Sequence, residues 1–170
     1  MRVLGVDACR SGWVGVELVD SRFAGARLAP DLAALLDAAT GVRVVGVDIP
    51  LGLVGTGWRD ADTAAAAVLG RRPGLLYEVH PEVSFRHLGG APMAYAKTTW
   101  NGQAARRTAL VAHGIEVPDG IGVAGKAAPD DVLDAAVAAW SAHRIATGRA
   151  VSYPDPPQRS ASGQEIAIWA

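Results

Sequence analysis

The chain has a single cysteine, Cys9. An intramolecular disulfide is excluded, and a reducing compartment fits. No run of apolar residues approaches the ~20 that a membrane span requires. The opening stretch, MRVLGVDACRSGW, meets charge too early for a signal peptide, so a soluble, cytoplasmic protein is expected. An excess of charge of either sign is also lacking. Sixteen Lys and Arg residues against 17 Asp and Glu give a net charge of -1. That balance offers no general attraction to nucleic acid or to an anionic membrane, so a nucleic-acid partner would need a local basic patch. His87, His113 and His143 show no spacing of the kind metal ligands have. No internal repeat and no second domain can be read in the sequence.

What is present points to one globular domain over residues 1–170, with half of its residues hydrophobic. Arg2 to Val6 forms a short apolar run. GWVGVELVD and AGARLAP follow after brief turns, and gaps that short favour antiparallel hairpins. Asp31 is placed to cap a helix over LAALLDAA. VRVVGVD reads as a buried strand, RDADTAAAAVLG as a helix, and GLLYEVH as a strand closing at Pro81. NGQAARRTALVAHG and a long segment from about Asp131 to Thr147 read as helices. Asp130 is the expected N-cap of the latter. The tail reads as an edge hairpin, or as EIAIWA docking separately. An antiparallel start followed by alternating helices and strands predicts an α/β fold, with a mixed sheet covered on both faces.

Acids recur at telling places. LGVD and VGVD each end an apolar strand in aspartate, Asp7 and Asp48. If those strands lie parallel and adjacent, both carboxylates reach the rim where open α/β sheets bind ligands. Turn capping is the alternative for each alone. In YEVHPE, Glu78, His80 and Glu82 stand at spacing two and share a face if the strand runs on; a solvent-facing strand would have the same spacing. In PDDVLDAAVAAW, Asp131 and Asp134 share one helix flank with Ala135 and Ala138. Alanines let the helix approach a neighbouring backbone closely, which would press the acids onto the sheet rim. Asp7, Asp48, Asp131 and Asp134, with Glu78 as a further member, would then repel one another. A hard cation, Mg²⁺ or Mn²⁺, resolves that conflict and suits phosphoryl chemistry.

Taken in order, GVDACRSGWVGV, VVGVDIPLGL, RDAD, YEVHPEVSF and DDVLDAAVAA resemble DUF429, a family of predicted nucleases with an RNase H-like fold. The resemblance runs from Val3 to about Gly148. The last motif also resembles the C-terminal helix of RuvC-type resolvases, where two acids three apart precede alanine-rich turns. RNase H-like enzymes carry metal-binding acids on the first strand, the fourth strand and the last helix. The resemblance therefore assigns metal binding to Asp7, Asp48, Asp131 and Asp134, and site roles to Glu78 and His80. It implies a nucleic-acid or nucleotide substrate. It also departs from the family in one place: a longer segment usually precedes the YEVHPE strand, and here Gly74 runs almost directly into it.

Two other functions fit parts of the pattern. A phosphoryl-transfer protein of the actin and sugar-kinase type would share the sheet and the first-strand aspartate, but DACRSGW poorly matches a phosphate loop. A catalytically silent binding module would retain the acids without chemistry. GIGVAGKA has the glycine–lysine spacing of a P-loop but ends in Ala127, where Ser or Thr would bind Mg²⁺. It is read as a flexible loop instead. Cys9 is read as buried filler, and Trp13 and Trp140 as core. Arg10, Arg59, Lys97, Arg106 and Arg107 fit surface charges or phosphate contacts, Lys97 best for the latter because Trp100 stands near it in a polar loop.

Overall fold

A computed structural model describes residues 1–49, 76–159 and 165–170. The helix expected over RDADTAAAAVLG, together with Trp58 and Arg59, lies outside the described residues. Three strands open the chain: β1 (Arg2–Cys9), β2 (Gly12–Val19) and β3 (Arg22–Ala29). The next elements are α1 (Leu32–Ala38), β4 (Val44–Val47), β5 (Leu76–Glu78), α2 (Pro81–Gly89) and α3 (Trp100–Ala112). A 3-10 turn (Gly122–Lys126), α4 (Pro129–Ala146), β6 (Ser152–Arg159) and β7 (Glu165–Trp169) complete the order.

The main sheet has the order β3-β2-β1-β4-β5. β1 to β3 pair antiparallel, and β1, β4 and β5 run parallel. This is the mixed sheet expected from the sequence. The tail forms the edge hairpin, β6 against β7, joined to the main sheet by a parallel bridge between Val79 and Trp169.

Alternation along the strands divides the core. Leu4, Val6, Val45 and Val47 pack with Leu32, Leu35 and Leu36 of α1 on one face. Asp31 caps that helix by accepting from the Ala34 amide at 2.8 Å. Val3, Val14, Val16, Leu18 and Val44 face the other way, toward α4 and α2. The same parity turns Gly5 and Asp7 of β1, Gly46 of β4, and Asp48 just past its end, toward α4.

Three local expectations need correction. Pro81 opens α2 instead of merely closing a strand, because proline at the first helical turn loses no hydrogen bond. Glu82 consequently leaves the β5 face and sits in the first turn of that helix. Asp130 is not the cap of α4: Ala128 holds that position, Pro129 starts the helix, and Asp130 and Asp131 both lie in its first turn. There they favour the positive end of the helix dipole. The GIGVAGKA segment, expected as a flexible loop, carries a 3-10 turn over Gly122–Lys126; no strand leads into it, in keeping with the discounted P-loop.

Candidate metal centre

The close approach of α4 to the sheet builds this site. A Cβ on Gly5 would fall 2.0 Å from the carbonyl oxygen of Ala135 and 2.0 Å from the amide nitrogen of Ala139. One on Gly46 would fall 2.6 Å from the carbonyl oxygen of Ala138. Glycine on the strands and alanine on the helix thus bring backbone against backbone. The buried run from Val132 to Ala139 includes Asp134, which is carried to the rim with its alanine neighbours.

β1 and β4 pair in parallel register, Val6 opposite Val47, and the Asp48 amide donates to the Val6 carbonyl at 3.0 Å. Asp7 and Asp48 therefore stand side by side. Asp7, Asp48 and Asp134 each present a carboxylate oxygen within 4.8 Å of the other two. These residues come from β1, from the end of β4 and from α4, three elements distant in the chain.

Burial and mutual repulsion act together on them. Burial first, then the charges of Asp48, Asp134 and Asp131, push Asp7 up to about 8. Asp48 is pushed up to about 6 by burial and by Asp134, against the lowering influence of His80 and Lys97. Burial also raises Asp134, although Lys97 opposes it. Asp134 is only 1% exposed. Its Oδ2 accepts from the Lys97 ammonium at 2.6 Å, while its Oδ1 has no hydrogen-bond partner among the described residues.

The other expected site residues take different places. Asp131 lies one turn before Asp134 on α4, half-buried and outside the group of three. Its carboxyl is raised by burial and then by Asp130. Glu78 ends β5 opposite Val47, and its charge reaches Asp48. His80 is exposed at the N-cap of α2 and favours the ionised form of Asp48. Glu82 is bound by Arg106.

Lys97 and Arg106 enter more deeply than the sequence reading gave them. Arg106, expected at the surface, is 1% exposed. It donates to the Tyr95 carbonyl at 3.0 Å and the Gly102 carbonyl at 3.2 Å, and its guanidinium lies over the Phe85 ring. The buried residues of α3 are Gly102, Arg106 and Leu110, four apart, so helical periodicity carried the signal.

A family model described as "Protein of unknown function (DUF429)" matches residues 5–75 and 71–159. The chain belongs to the DUF429 family. The two matched parts meet at residues 71–75, where the sequence reading found the family's longer segment shortened. No curated protein matches this DUF429 chain. Among solved structures it is similar to one described as "Thermus thermophilus RuvC structure". The TM-score is 0.53 at 16% identity, over 88% of this chain and 98% of that one. A second, RuvC of T. thermophilus in complex with a Holliday junction substrate, gives 0.48 at 14% identity over 88% and 97%. The first likeness establishes an RNase H-like fold for this DUF429 member, with acids on the first strand, just after the fourth and on the last long helix.

Proposed function

We propose that this protein is a divalent-metal-dependent nuclease that hydrolyses phosphodiester bonds in nucleic acid or nucleotides. The observation that carries the reading is the convergence of Asp7, Asp48 and Asp134 within 4.8 Å. Like charges this close, with Asp7 and Asp134 buried, are costly without a cation. The donor set is all oxygen, the preference of Mg²⁺ and Mn²⁺. The open Oδ1 of the buried Asp134 is a further fit, since an acceptor shut off from water needs a partner.

Asp7 would hold the principal ion with Asp48 and Asp134. Asp131, one turn nearer solvent, would serve a second ion. Glu78 and His80, beside Asp48, would orient the attacking water or the leaving group. When bound, the ion supplies Lewis acidity toward the phosphoryl oxygens and the attacking water. The chain's own residues fix the geometry: the Gly5 and Gly46 contacts hold Asp134 against Asp7 and Asp48 before any ligand arrives.

The test is cleavage of labelled DNA and RNA, single-stranded and duplex, with Mn²⁺ or Mg²⁺ and with chelator. Metal-dependent cleavage that Asp7→Asn abolishes, with the circular dichroism spectrum unchanged, supports the reading. Full activity in that variant overturns it. A wild-type protein that binds no Mn²⁺ and cleaves nothing would favour the silent binding module.

A further inference from the structure

Lys97 is held by a device too elaborate for a surface lysine. It lies in the connection between α2 and α3, whose backbone is held at several points. A Cβ on Gly102 would sit 1.9 Å from the Ala96 carbonyl oxygen, so only glycine lets the connection lie against α3. Thr99 caps α3 by accepting from the Gly102 amide at 3.1 Å, and its hydroxyl donates to Ala96 at 2.8 Å. The buried Arg106 grips the Tyr95 carbonyl from below. Capping, close approach and guanidinium all converge on Tyr95 to Thr99. The outcome is a lysine side chain whose ammonium reaches Asp134 Oδ2 at 2.6 Å, with the lysine still 40% exposed.

The same carboxylate belongs to the group that would hold the cation. Two cations thus have a claim on one buried aspartate, one of them built into the chain. Arg106 also favours the ionised form of Asp134, and Glu82 opposes it. Neither is within hydrogen-bonding contact of the Asp134 carboxylate, whereas Lys97 is.

We infer that Lys97 is a positioning residue of the metal centre: its ammonium is the resident counter-ion of Asp134, and it gives up that carboxylate when a divalent cation binds. The inference rests on the metal-binding reading above. Lys97 keeps α4 docked with the buried aspartate neutralised while the site is empty. Because it is part-exposed, it can withdraw toward solvent at small cost. The arrangement makes cation binding an exchange of one positive charge for another, which lowers the apparent affinity.

Calorimetric titration with Mn²⁺ alone, and melting with and without saturating Mn²⁺, test this on wild type, Lys97→Met and Arg43→Met. Arg43→Met removes the same charge from an exposed position just before β4, at the far end of that strand from Asp48, and controls for net charge. The expected result is Mn²⁺ binding at least about fivefold tighter in Lys97→Met, and little changed in Arg43→Met. Metal-free Lys97→Met should melt several degrees below wild type, with the gap closing to about 1 °C or less in saturating Mn²⁺. A gap that persists when metal is bound, or unchanged affinity, overturns the exchange and leaves Lys97 a structural strut. Should Lys97→Met not fold, Lys97→Gln replaces it with the same two readouts. If wild type binds no Mn²⁺, the metal-centre reading fails; if it binds and the variants match it, only the exchange fails.

Discussion

Gly5 on β1 lies against Ala139 on α4 so closely that a methyl group on the glycine would fall 2.0 Å from the alanine amide nitrogen. That contact sets the height of α4 above the sheet, and so the reach of Asp134 toward Asp7. Gly5→Ala must lift the helix, because the obstacle is backbone and has no rotamer to change. The expected cost is roughly 3 kcal/mol in urea unfolding. Variants that stay folded should lose Mn²⁺ affinity although no acid has been altered. Gly25→Ala, where the added group meets nothing within 4 Å, is the matched control.

Without metal, the acid cluster should make stability depend on pH in an unusual direction. Asp7 moves from an ordinary 3.8 to about 8 on folding, and Asp48 from 3.8 to about 6. Between those values the folded chain binds more protons than the unfolded one, so stability falls as pH rises. The proton-linked contribution is complete below pH 3.8, declines as pH rises through about 6, and is gone above about 8. Melting in chelator should occur at a Tm lower at pH 8.5 than at pH 5 by at least about 4 °C, corresponding to 1–2 kcal/mol. Asp7→Asn should flatten that dependence and melt higher than wild type at pH 8.5. Saturating Mn²⁺ should flatten it in the wild type.

The two acids of α4 should not be equivalent. Asp134 belongs to the close group and Asp131 lies outside it. Asp134→Asn is expected to weaken Mn²⁺ binding by at least about a hundredfold, roughly 3 kcal/mol, and Asp131→Asn by less than about tenfold. Calorimetry on the two variants decides between this and an equal contribution from both acids.

Arg106 should behave as an anchor of the Tyr95–Thr99 segment. Replacing it with methionine keeps the packing on Phe85 but removes the bonds to Tyr95, Gly102 and Glu82. A loss of about 2–3 kcal/mol is expected. Amide hydrogen exchange should rise from Tyr95 to Thr99 and stay unchanged in β1 and β2.

Much of this was legible in the sequence because it is local. Asp31 before an apolar helix, the short β1–β2 and β2–β3 connections, and the aspartates following LGV and VGV all carry their meaning within a few residues. The strand does end before Pro81, but the helix that Pro81 begins was missed for the same reason: a proline that stops one element can start another. Arg106 was misplaced because charge was weighed above position. Its spacing from Gly102 and Leu110 put it on the buried stripe of α3. The meeting of Lys97 with Asp134 was out of reach, since it joins residues 37 apart through a tertiary fold that no spacing rule contains.

The central claim is that three aspartates, from two strands and one helix, share one divalent cation. Anomalous diffraction from crystals grown with Mn²⁺ tests it most directly. The account predicts a strong peak ~2.1 Å from carboxylate oxygens of Asp7, Asp48 and Asp134, with the Lys97 ammonium withdrawn from Asp134. No peak at this site, with Lys97 still in contact with Asp134, would contradict it.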